Sequence, residues 1–250
     1  MSVKLKVGCC GFPTSMSRYF SEFKLVEIQA TFYRIIWDKT LKRWRESAPN
    51  DFEFTVKAFQ GITHDVNSPT WRKSNIKEYK SLKDKVGYLR PTSEVLSFWS
   101  ETLKAAKILR SNIILIQLPR SFRDTKENIN NASNFFEKIT RGDIRISIEL
   151  RGWSKTSRKA LCEEYDLIDV VDPFGDSPAY VGDVLYFRLH GKYTGTKIIY
   201  NYRYSTEELK SLKEIVIKYF EEGVKRIYVL FNNSYMYEDA KRFMRYFEND

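Results

Sequence analysis

Eight short runs of apolar, often β-branched residues recur along the chain, at positions 4–9, 25–32, 52–58, 112–118, 144–150, 167–171, 184–189 and 226–231. Their hydrophobicity is nearly continuous rather than alternating, the mark of parallel strands buried on both faces. Between most of them, apolar residues return every three or four positions, which predicts amphipathic helices over 40–46, 93–110, 126–139, 156–164, 206–222 and 234–248. The second of these is entered by Pro91-Thr92-Ser93-Glu94 and carries Leu96, Trp99, Leu103 and Ala106. Ser205 precedes the fifth, with Glu208 placed to close a capping box back onto it. Strand–helix alternation repeated about eight times predicts an α/β fold with a parallel sheet. Eight units within 250 residues favour closure into a (β/α)8 TIM-type barrel, and no linker divides the expected single domain over 1–250.

Two connections depart from the regular unit. Residues 59–90 separate the third strand from its helix and contain Trp71, Tyr79 and Tyr88, and residues 190–205 interleave bases with tyrosines. Connections this long are usually lids or binding loops, and both follow strands, which places them on the carboxyl-end face of a barrel. The connection 172–183 is too rich in Pro and Gly for a full helix.

Composition narrows the class. A hydrophobic share of 42% supports a sizeable core and 30% charged residues a soluble exterior. There is no apolar run long enough to span a membrane, and the amino terminus lacks a signal peptide's apolar core, so no membrane partner and a cytoplasmic location are expected. Cys9, Cys10 and Cys162 have neither disulfide-framework nor zinc-finger spacing and are expected as small buried residues. The two histidines, His64 and His190, are too few for a multi-histidine metal cluster. Neither a phosphate-binding G-x-x-x-x-G-K-[ST] loop nor a G-x-G-x-x-G fingerprint occurs, so no cofactor is expected. The formal charge of +10 suits a polyanionic partner, an acidic small ligand or an ion-pair-rich surface.

The strand ends are more polar than packing requires. Glu27, Gln29 and Thr31 share one parity of strand two, Lys57 closes strand three, Gln117 strand four and Asp172 strand six. Glu149 and Arg151 lie two apart at strand five, Arg188 and His190 two apart at strand seven, and Asn232 with Asn233 ends strand eight. Three uses of these groups are open beside a purely structural network pairing Glu149 with Arg188 and Glu27 with Lys57. The first is a metal-independent enzyme or binder for a small phosphorylated or carboxylated ligand. Arg188, Arg151 and Lys57 would clamp the anion, Glu149 or Glu27 would take a proton and His190 would return it. His64, beside Asp65, would complete the site on loop closure, with Gln117, Asn232, Tyr33, Trp153 and Tyr202 lining the pocket. The second is nucleic-acid binding through Lys192, Tyr193, Lys197, Tyr200, Tyr202, Arg203 and Tyr204. The third is a metal-dependent phosphoesterase with one divalent ion among Glu27, Glu149, Asp172 and His190, opposed by the neighbouring cations. Nothing in the sequence sets an oligomeric state.

Six segments, in order, carry a family resemblance: EIQATFY (27–33), FEFTVKAFQGITH (52–64), QLPRSF (117–122), ELRGWS (149–154), YFRLHG (186–191) and VLFNNSYMYEDA (229–240). They resemble the signature blocks of the family of unknown function numbered 72, also called YecE-like. That family's second block usually reads Glu-x-Asn-Ser-Thr-Phe-Tyr, where this chain has Gln29 and Ala30. The resemblance implies a (β/α)8-type barrel and no established activity. The family is similar in fold to endonuclease IV-like barrels, whose zinc chemistry does not transfer to a chain with two histidines.

Overall fold

The computed structural model describes residues 4–195 and 197–248. The expected single-domain span therefore includes a few positions outside the described residues (1–3, 196, 249 and 250), and so does the basic loop, at Thr196. In chain order the strands are β1 (Lys4–Cys10), β2 (Leu25–Ile28), β3 (Glu53–Lys57), β4 (Ile113–Gln117), β5 (Arg145–Glu149), β6 (Ile168–Val171), β7 (Val184–Leu189), β8 (Lys192–Thr194), β9 (Lys197–Ile199) and β10 (Arg226–Phe231). The helices are α1 (Met16–Glu22), α2 (Ala30–Tyr33), α3 (Asp38–Ser47), α4 (Gln60–Thr63), α5 (Ser93–Leu109), α6 (Lys126–Lys138), α7 (Lys155–Tyr165), α8 (Thr206–Glu221) and α9 (Met236–Met244). All strands but β8 and β9 close into a barrel in the order β1-β10-β7-β6-β5-β4-β3-β2. The fold is the expected α/β barrel. None of its described helices is long and apolar enough to cross a membrane.

The chain forms two compact units, Met1–Glu27 with Ile168–Asp250, and Ile28–Leu167. In the first, Val7, Val229, Phe187 and Val171 stand side by side across parallel strands. Their side chains are all buried, as continuous strand hydrophobicity requires. Tyr19 on α1 ties β1 to β2: its hydroxyl donates to the Leu25 carbonyl at 2.7 Å and accepts from the Cys9 amide at 2.8 Å. Gly8 lets the two strands approach, because a Cβ there would stand 2.2 Å from the Leu25 carbonyl oxygen. Gly8→Ala is expected to cost about 2–3 kcal/mol by forcing backbone apart. Urea denaturation measures this, and an unchanged midpoint would contradict the close approach.

In the second unit β4 lies between β3 and β5, with Lys57 in register with Leu115 and Gln117 with Glu149. The long excursion after β3 is not featureless. It contains α4 and two short 3₁₀ turns, Pro69–Lys73 and Tyr79–Leu82, organised around Trp71. That ring is fully buried, stacked on Tyr79 and edge-on to Phe59.

Several elements differ from the sequence expectation. The second strand stops at Ile28 instead of running to 32, and residues 30–33 turn into α2. Thr31 supplies the reason: its hydroxyl, 3.0 Å from the Ile28 carbonyl and 2.8 Å from that of Lys57, competes with the ladder. Gln29 and Thr31 therefore do not share a strand face with Glu27. Helix α1 was not foreseen, since its seven residues show too little periodicity. The basic loop folds into an antiparallel hairpin of β8 and β9, entered through Gly191 at φ +108°. The last helix ends at Met244 and passes into a 3₁₀ turn over Arg245–Phe247. The capping box at α8 forms as expected, with Ser205 accepting from the Glu208 amide and Glu208 from the Ser205 amide.

Candidate functional site at the strand ends

The first unit places a connected set of polar groups around the end of β7. Arg188 is fully buried, and its Nε and Nη2 donate to the two oxygens of Glu27, equally buried, at 3.0 and 2.8 Å. Tyr186, two residues earlier on the same face, donates its hydroxyl to Glu27 Oε2 at 2.8 Å. The remaining guanidinium edge, Nη1, lies 3.3 Å from His190 Nε2. On the other side of the imidazole, Nδ1 lies 3.3 Å from Asp172 Oδ2, which also accepts the His190 amide at 2.8 Å. The network assigns the tautomer: Nε2 faces a donor that cannot accept, so the proton sits on Nδ1 and points at Asp172. A forked guanidinium on a carboxylate is the strong geometry for such a pair, and burial makes it costly to leave half made. Cys10 lies beside it, Sγ 3.7 Å from Arg188 Nη2, and burial together with the Glu27 charge pushes this thiol upward. Cys9 is pushed up to about 12, first by burial, so both thiols stay protonated near neutrality. All three cysteines are buried.

At the end of β10 it is Asn233, rather than Asn232, that is buried and engaged. It donates through Nδ2 to the Tyr202 carbonyl and to Asp239 Oδ2, each at 2.7 Å. Asn232 is half-buried, its amide bonded to the Leu189 carbonyl. The tyrosines of the basic loop divide. Tyr204 is buried, with its hydroxyl accepting from the Gly191 amide, and Tyr202 donates its hydroxyl to the Glu208 carboxylate. That bond, then burial, pushes the Tyr202 phenol up to about 12. Tyr200 is the exposed one.

The second unit holds a more accessible group. Glu149, nearly buried, is bonded by Nε of Arg151, whose side chain is 24% exposed. Strand β5 ends at Glu149, so Arg151 reaches it from the turn and not, as the two-residue spacing suggested, from the strand itself. Lys57 Nζ sits 4.1 Å above the Phe32 ring and 3.5 Å from Gln29 Oε1. His64 follows α4 directly, packs edge-on against Phe32 and shares its Nδ1 with the Thr63 hydroxyl at 2.8 Å. Burial, then the charges of Lys57 and of Arg151, lowers its pKa to about 3. It is therefore neutral at pH 7. The Thr63 hydroxyl fits either neutral tautomer, since it can donate to Nδ1 or accept from it. Gln117 is half-buried beside Glu149. Tyr33 is half-buried with Lys73 over its ring, and Trp153 is buried and stacked on Phe122. The Trp153 indole N–H has no acceptor among the described residues.

Of the residues singled out in the sequence, Glu27, Arg188 and His190 thus meet in one unit. Lys57, His64, Gln117, Glu149, Arg151, Tyr33 and Trp153 belong to the other. Tyr186, Thr63 and Asp239 escaped the sequence reading. Tyr186 shares the parity of Arg188 and was legible on that ground; the other two carry no local signal. Among the described residues no three His, Cys, Asp or Glu side chains are placed to hold a metal ion, and the Arg188 guanidinium touches both Glu27 and His190.

A closed parallel barrel with ionisable side chains gathered at its strand ends defines a (β/α)8-barrel protein. Residues 11–250 match the model of the family described as protein of unknown function DUF72, and the chain belongs to that family. It is 26% identical to the UPF0759 protein YunF of Bacillus subtilis (strain 168), over 88% of this chain and 80% of that one. Among solved structures it is similar to the DUF72 family protein EF0366 of Enterococcus faecalis V583, with a TM-score of 0.72, 22% identity and 98% of each chain covered. It is also similar to the DUF72 family protein TM1631 of Thermotoga maritima MSB8, with a TM-score of 0.69, 23% identity and coverage of 98% and 99%.

Proposed function

We propose that the protein binds a small phosphorylated or carboxylated ligand at the ends of β3 and β5, with Lys57 and Arg151 as the cations and the neutral His64 imidazole beside them. The observation that carries this reading is that Lys57 and His64 pack on the same Phe32 ring while the partly exposed Arg151 also acts on that imidazole, so two cations bear on one point. Such a field attracts an anion, and the partly exposed guanidinium of Arg151 offers donors in a fork that suits carboxylate or phosphate oxygens. Gln117 supplies an amide beside Glu149. Glu149 is the proton acceptor for any turnover there, with Arg151 holding its orientation. On this reading Glu27, Arg188 and His190 brace the other unit rather than meet the ligand.

A thermal-shift and proton-NMR titration with inorganic phosphate, sugar phosphates and small dicarboxylates tests the reading. A ligand at about 100 times its Kd stabilises the folded chain by about 2.7 kcal/mol. Its charge also offsets those of Lys57 and Arg151, so the His64 pKa rises on binding. Arg151→Gln is expected to remove both effects. An equal shift in Arg151→Gln, or none in the wild type with any of these anions, overturns the proposal.

Glu149→Gln separates pairing from chemistry. Loss of its negative charge beside the anion is expected to tighten binding severalfold while abolishing turnover of any substrate found. Unchanged turnover in this variant removes Glu149 as the base.

A further inference from the structure

Within the long excursion of the second unit, residues between Val66 and Lys83 enclose a cleft of about 450 Å3, lined by Asn67, Ser68, Arg72, Tyr79, Lys80 and Lys83 among others and by no acidic side chain. The volume falls within the range of small-molecule sites. Several other cations of the segment are already engaged. Lys85 pairs with Glu94 at 3.4 Å, Arg90 with Asp65 at 3.9 Å, and Lys73 lies over Tyr33. Arg72, Lys80 and Lys83 have no side-chain partner among the described residues, although all three face one concavity. Like charges gathered without counter-charge repel one another, and a bound anion relieves that repulsion.

The cleft also has an aromatic wall. Tyr79 is held by stacking on the buried Trp71, with ring centroids 5.4 Å apart and planes 20° from parallel. Trp71 is fixed in turn by its indole N–H, which donates to the His64 carbonyl at 3.2 Å. One face of Tyr79 is therefore covered and rigidly backed, while the residue itself borders the cleft. A pre-positioned ring beside unpaired cations is the pairing of features that recognises a base and its phosphate.

We propose that this cleft is a nucleotide site, separate from the strand-end site above, in which the base stacks on Tyr79 and the phosphates are held by Arg72, Lys80 and Lys83. It works through side chains alone and needs no glycine-rich loop. The same chemistry is offered by a free nucleotide and by the phosphorylated end of a strand.

Fluorescence anisotropy with a labelled adenosine diphosphate, competed by unlabelled adenosine diphosphate, by pyrophosphate and by a 5′-phosphorylated octathymidylate, tests the site. Saturable binding is expected, weakening with added salt. Arg72→Ala/Lys80→Ala/Lys83→Ala should weaken it by about tenfold or more. Because these side chains are exposed, the variant should keep the wild-type melting temperature. Tyr79→Leu should weaken the diphosphate nucleotide severalfold and leave pyrophosphate almost unchanged. Competition by the oligonucleotide at lower concentration than the nucleotide identifies a strand end, and the reverse order a free nucleotide. No saturable binding to the wild type, or a folded triple variant that binds as the wild type does, overturns the proposal. Arg151→Gln should not alter this binding, which keeps failure here distinct from failure of the strand-end site.

Discussion

Arg188→Met is expected to destabilise the folded chain by about 3–5 kcal/mol. Arg188 and Glu27 are both fully buried, and the guanidinium meets both carboxylate oxygens. Met fills much of the same volume, so the loss is mainly electrostatic: a carboxylate stays in the interior without its strongest partner. Attraction within such a pair does little more than offset the cost of taking both charges out of water, whereas removing one partner exposes that whole cost. Adding Glu27→Gln to Arg188→Met should therefore recover part of the loss. The departure of the double variant from the sum of the two single effects is the coupling of the pair. Equilibrium urea denaturation of the wild type, both single variants and the double variant checks this. An Arg188→Met protein within about 1 kcal/mol of the wild type would mean the pair is not kept closed in solution.

The second large effect is acid destabilisation through His64. The folded-state pKa is about 3, against 6.5 for an ordinary histidine. Between those values the unfolded chain takes up a proton that the folded chain refuses, so stability falls as the pH drops. Nothing is lost above the unfolded pKa. Below it the loss accrues at about 1.4 kcal/mol per pH unit, reaching about 3 kcal/mol near pH 4 and levelling off below the folded pKa. In His64→Gln this part of the acid limb should vanish, while the Thr63 hydroxyl keeps a hydrogen-bonding neighbour. Stability of wild type and variant compared from pH 7 to pH 4 isolates the His64 contribution, because every other titrating group is common to both. Parallel curves would show that His64 protonates freely in the folded state.

The chain's hydrophobic pattern was enough to locate the eight barrel strands and all the long helices, and six ordered blocks pointed to the family. Pattern works here because a strand buried on both faces and a helix buried on one each leave a periodic mark. The strand-end polar residues were visible for a related reason: Lys57, Glu149 and Arg188 stand near the carboxyl ends of runs that are mainly apolar. Where local bonding competes with the ladder, pattern failed. Thr31 turns the chain at the end of β2, and the short α1 is held by the two hydrogen bonds of Tyr19 rather than by periodicity.

Pairing was decided by tertiary structure alone. Arg188 is forked onto Glu27, 161 positions away, and Glu149 is bonded by its near neighbour Arg151. Which cation meets which carboxylate depends on strand register and on side-chain reach, neither of which composition records. The unpaired cations of the 66–83 cleft were equally illegible, since Arg72, Lys80 and Lys83 look no different in sequence from Lys85 and Arg90, which have partners. The sequence alone thus determined the barrel and the presence of charge at its strand ends. Tertiary structure decided which of those charges are spent on one another, because Coulomb energy and desolvation depend on distances that only the folded chain sets.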